Sequence, residues 1–90
     1  MIIARRFVIS GRVQGVGFRF FAEDQARAEN IAGYVRNLPD GRVEALAEGE
    51  AESVERFERA LHRGPRSAII ERVESETVPT ADRHGFSLRF

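Results

Sequence analysis

The chain has 90 residues, 42% of them hydrophobic, and its 14 basic and 14 acidic side chains cancel. This balance predicts one globular rather than disordered domain over residues 1–90, with no broad electrostatic grip on nucleic acid or an anionic membrane expected. Cysteine is absent and all fourteen basic residues are arginine, which removes disulfides, thiolate nucleophiles, cysteine zinc sites, Schiff-base lysines and a P-loop lysine.

Met1 to Arg6 is too short and too charged for a secretory leader, and no apolar run reaches membrane-spanning length, so a cytoplasmic protein is expected. From Arg6 to Val13, Phe7, Ile9 and Val13 fall at alternate positions, the period of a strand. Gly11, Gly15 and Gly17 then break the pattern, and from Phe18 the period becomes helical. Phe18, Phe21, Ala22, Gln25 and Ala28 are predicted on the buried face, with Asn30 as the helix stop. Phe18 and Phe21 suit the core; Phe20 points elsewhere, to the surface or beside the glycine loop.

Gly33 to Leu38 reads as a strand, Pro39-Asp40-Gly41 as a tight turn, and Arg42 to Glu48 as the returning strand of an antiparallel hairpin. Glu50 to Arg63 forms a second helix with Val54, Phe57 and Leu61 as its buried stripe and Ala60 beside them. Gly64-Pro65 ends it. Ala68 to Val78 is a strand whose later half is polar enough for an edge. Phe86, Leu88 and Phe90 alternate in a last strand. The order β-α-β-β-α-β with a short terminal strand predicts an α+β ferredoxin-like sandwich, an antiparallel sheet with two helices on one face.

Chemistry concentrates in Gly11-Arg12-Val13-Gln14-Gly15-Val16-Gly17-Phe18-Arg19, which leaves a strand, turns through glycines and opens a helix. The first amides of a helix have no intrahelical partner and its dipole favours an anion there. Glycines let successive N–H groups converge, and an arginine in the first turn can clamp a phosphate with two parallel hydrogen bonds. A Gly-x-Gly pair alone is a common strand-to-helix turn, and no third glycine completes a dinucleotide fingerprint.

This string, followed by Gly-Tyr-Val-Arg-Asn-Leu-Pro-Asp-Gly-Arg-Val-Glu at 33 to 44, resembles the two signature stretches of acylphosphatases. The resemblance covers essentially the whole chain and implies a hydrolase acting on small-molecule acyl phosphates. It implies that the amides of Gly15, Val16, Gly17, Phe18 and Arg19 cradle the phosphoryl group. It also implies that the Arg19 side chain clamps that group, that Asn37 holds the attacking water and that Gln14 shapes the loop. Inorganic phosphate or another anion is then expected at the loop, with no metal and no cofactor. Three positions depart from the family pattern: Glu29 stands for a common leucine, Asn30 for glycine and Tyr34 for tryptophan. They bear on local packing rather than on the catalytic groups.

Other residues receive plainer readings. His62 and His84 lack a metal-ligand pattern, and the acidic residues 44, 48, 50, 52, 55 and 58 read as a solvated face rather than a metal site. Arg12 and Arg36 read as exposed strand residues, and Tyr34 as packing on the sheet. An RNA-recognition domain shares the element order, but the strand from Arg42 carries no aromatic platform. A non-hydrolytic module that binds acyl phosphate or carbamoyl phosphate, as in larger carbamoyl-phosphate-handling enzymes, is the alternative. A free-standing chain favours the hydrolase, and a monomer is expected.

Overall fold

A computed structural model describes residues 1–90. The elements are β1 (Ile2–Arg12), α1 (Phe18–Ala28), β2 (Ala32–Asn37), β3 (Val43–Glu50), α2 (Ala51–Arg63), β4 (Ile69–Val78) and β5 (Phe86–Arg89). The strands form one sheet in the order β4-β1-β3-β2-β5. β1 runs antiparallel to β3 and β4, and β2 antiparallel to β3. This is the ferredoxin-like α+β sandwich. One correction concerns the sheet: β5 lies parallel to β2, with Gly33 opposite Phe86 and Val35 opposite Leu88, so the sheet is mixed. The whole of β4 is an edge, since only β1 pairs with it.

Strand alternation decides which side chains meet the helices. Phe7, Ile9, Val35, Val43, Ala45 and Ala47 share one face and pack with Val54, Phe57 and Leu61 of α2. Phe57 is central, with Phe7 and Phe86 ring centroids at 6.0 and 5.9 Å in tilted and edge-on contact. The α1 stripe is rotated from the predicted one: Phe18, Ala22 and Ala26 are buried, Phe21 and Gln25 are half-buried, and Ala28 is exposed. Asn30 ends the helix with φ 55°, the left-handed conformation expected of it. Glu29 does not disturb the packing. Its carboxylate accepts from Nε of Arg56 on α2 at 2.9 Å, tying the helices with a surface pair that contributes at most about 1 kcal/mol.

The face of the sheet away from the helices corrects the reading of Glu44 and Glu48. Both are buried. Glu44 lies between Arg6 and Arg36 and accepts a hydrogen bond from each guanidinium. Glu48 accepts from the backbone N–H of Ala81 at 3.0 Å and from Nη1 of Arg83 at 2.6 Å, pinning the loop that leads into β5. On a central strand, long arginine stems cover the short glutamates beside them. Tyr34 lies on this same face, with the Arg89 guanidinium 4.1 Å from its ring centre.

Burial alone would raise the Glu44 carboxyl, but the hydrogen bonds and charges of Arg36 and Arg6 outweigh it and hold the group below its ordinary value. A carboxylate lowered in the folded state adds stability above its unfolded pKa, and that stability is lost as pH falls through the folded value. Glu44→Gln is therefore expected to cost about 2 kcal/mol near pH 7, because it leaves two arginines without their shared anion. The deficit should begin to shrink below about pH 4, where the unfolded chain takes up the proton first, and should close only as the folded carboxylate is protonated at lower pH. Urea midpoints from pH 7 to 3 measure this; parallel curves for the two proteins would contradict it.

Candidate active site

β1 delivers the chain into the loop through a register shift against β4 at Ser10/Gly11. Gly15 and Gly17 then have φ of 73° and 78°. A Cβ at either would meet nothing within 4 Å, so the positive φ, rather than crowding, demands glycine there. Gly17 is the N-cap of α1, and its carbonyl takes the first helical bond from the N–H of Phe21 at 3.0 Å. The amides of Gly15 to Phe20 donate to no group of the chain. They form a run of free donors at the positive end of a helix, the arrangement that attracts an anion.

Gly15, Gly17, Phe18, Arg19 and Phe20 of this segment bound a cavity of about 170 Å³, which Val16 does not line. Gly15, Gly17 and Arg19 line it from the loop and the helix start, with buried Val13 and Phe18 as its floor. Asn37, the last residue of β2, enters from the other side, on the helix-facing parity of its strand opposite Val43. Its carboxamide makes no hydrogen bond within the chain. Phe20, 64% exposed, stands at the rim. No aspartate, glutamate or histidine lines the cavity, and Arg19 is its only charged residue.

Arg19 is already oriented. Its Nη1 donates to the Arg89 carbonyl at 2.8 Å, and its guanidinium carbon lies 4.9 Å from the Phe90 ring centre. That uses one of five N–H donors and leaves the rest of the fork for an anion. Gln14 lies outside the cavity. Its Nε2 donates to the carbonyls of Leu38 at 2.7 Å and Arg42 at 3.0 Å, which ties the loop to the β2–β3 turn beside Asn37. The Val16 side chain packs against the core, and its amide has no partner within the chain.

The structure thus brings Gly15, Gly17, Phe18, Arg19 and Asn37 to one place. It adds Val13 and Phe20 to the lining and gives Arg19 two distant supports, Arg89 and Phe90, that no local pattern announces. His62 and His84 do not line the cavity. The largest hollow, about 600 Å³, lies at the opposite end of the sheet, near Arg27, Gly49, Asp82 and His84. Size does not decide between them. The larger hollow's arginines are already paired, Arg83 with Glu48 at 2.6 Å and Arg27 with Glu23 of its own helix at 3.2 Å.

The acylphosphatase family model matches residues 5–88. An acylphosphatase of Anaeromyxobacter dehalogenans (strain 2CP-C) is 49% identical over 89 residues, 98% of this chain and 96% of that one. The crystal structure of acylphosphatase from Bacillus subtilis superposes with a TM-score of 0.94 at 35% identity, covering 100% of each chain. Full-length HypF in its phosphate- and nucleotide-bound form matches with a TM-score of 0.90 at 29% identity, over 100% of this chain and 12% of that one. No helix of this chain is long and apolar enough to cross a membrane.

Proposed function

The chain belongs to the acylphosphatase family and is an enzyme that hydrolyses acyl phosphates, and we propose that a water positioned by Asn37 attacks in line a phosphoryl group held by Arg19 and the loop amides. What supports this reading is one observation: a single small cavity is lined by Gly15, Gly17, Phe18, Arg19 and Asn37, where the loop amides and the Asn37 carboxamide have no partner within the chain.

The chemistry needs little more. An acyl phosphate is a mixed anhydride whose leaving group is a carboxylate, so no general acid is required to expel it. The water oxygen bonds to phosphorus as the bond from phosphorus to the acyl oxygen breaks, and that electron pair leaves with the carboxylate. The Asn37 carboxamide is neutral and no acid or imidazole lines the cavity, so the water's proton passes to a phosphoryl oxygen or to solvent. Rate enhancement then comes from alignment and from charge stabilisation on the phosphoryl oxygens. Gln14 serves by fixing the distance from the loop to the strand end that carries Asn37.

Steady-state hydrolysis of benzoyl phosphate tests the reading. Turnover should proceed at the same rate with and without a metal chelator, and inorganic phosphate should inhibit competitively. The likeness to one part of the longer HypF chain favours a second reading, a non-hydrolytic module for acyl or carbamoyl phosphate. Binding of phosphate at the loop with no turnover would select it.

A further inference from the structure

Phe20 is a large apolar side chain that the core does not use. It sits off the Phe18–Ala22–Ala26 stripe of α1 and is 64% exposed, yet it lines the cavity that holds Arg19 and Asn37. A single exposed hydrophobic residue is ordinary on a protein surface. One placed against the reacting group is in the path of whatever the reacting group carries. The cavity, at about 170 Å³, is well below the roughly 300 Å³ at which pockets begin to enclose a whole small ligand. It takes the phosphoryl group and leaves the acyl part outside, at the rim where Phe20 stands. The only charge in the lining is Arg19, and the phosphoryl oxygens use it. A carboxylated acyl group would find no cation there, whereas an apolar one would find a phenyl ring.

Resting on the hydrolase reading above, we infer that Phe20 is a specificity-determining residue that packs against the acyl group and selects aromatic acyl phosphates over small ones. Two rings in contact gain both from burial and from their offset or edge-on geometry.

The test compares benzoyl phosphate with acetyl phosphate in wild type, Phe20→Ala and Phe20→Tyr. The ratio of kcat/KM values, benzoyl over acetyl, is expected to fall about tenfold in Phe20→Ala, chiefly through KM for the benzoyl substrate. In Phe20→Tyr, which keeps the ring, it should stay within about twofold of wild type. An unchanged ratio in Phe20→Ala overturns the inference, as does an equal loss for both substrates. Calorimetry with benzoylphosphonate and acetylphosphonate, which cannot be hydrolysed, separates the two readings. If wild type turns over neither substrate but binds the benzoyl compound more tightly, and Phe20→Ala removes that preference, catalysis fails and the acyl contact stands. If neither preference is seen, the acyl contact fails.

Discussion

Arg19→Ala is expected to lower kcat/KM for benzoyl phosphate about a thousandfold. Arg19 is the only charged residue lining the cavity, so nothing nearby replaces it as charge builds on the phosphoryl oxygens. The loss should fall on KM as well as kcat, because the same fork holds the phosphoryl group before and during attack. Inhibition by inorganic phosphate should weaken in parallel. Arg19→Lys should recover no more than about tenfold: an ammonium restores the charge but neither the two parallel hydrogen bonds nor the planar face that rests on Phe90. The thermal midpoint should hardly move, since the side chain is only partly buried and its contacts are with Arg89 and Phe90. A loss below tenfold with phosphate inhibition intact would assign phosphoryl binding to the loop amides alone.

Some elements were legible because their signals are local. The α2 stripe of Val54, Phe57 and Leu61 repeats at helical spacing and stops at Gly64, and it is buried as read. Pro39-Asp40-Gly41 closes the β2–β3 hairpin, where the N–H of Leu38 donates to the Arg42 carbonyl at 2.8 Å. The α1 face was displaced for a physical reason. Phe21 has the size of a core residue but lies at the helix flank, its ring 6.1 Å from that of Phe18 and 5.9 Å from the Arg63 guanidinium. The buried stripe instead runs Phe18, Ala22 and Ala26 at spacings of four, and Ala26 is fully buried. The direction of β5 is not carried by its own four residues. It follows from the loop before it, which Glu48 anchors from β3. That carboxylate, like Glu44, sits at a strand position that alternation assigns to solvent.

The site divides in the same way. Gly15, Gly17 and Arg19 fall within one short segment, so their meeting follows from a strand, a turn and a helix start. Asn37 reaches them through the pairing of β2 with β3 and of β3 with β1, a relation that the second motif marks in sequence. The support of Arg19 by the Arg89 carbonyl spans 70 residues and rests on a backbone atom. No choice of side chain at position 89 records it.

Asn37→Ala is expected to lower kcat about a hundredfold while leaving KM and the strength of phosphate inhibition nearly unchanged. The carboxamide has both a donor and an acceptor free, and its strand holds it on the helix-facing side of the sheet opposite Val43. It can therefore orient a water against the phosphoryl group without itself carrying charge to bind it. Asn37→Asp should behave differently, since a carboxylate beside an anionic phosphoryl group repels it and raises KM. The contrast with Arg19 divides the labour within the cavity. Losing the arginine should weaken phosphate inhibition and turnover together, whereas losing the asparagine should separate them. If Asn37→Ala weakens phosphate inhibition by the same factor as it lowers kcat, the side chain binds the phosphoryl group directly and the attacking water must be held by the loop.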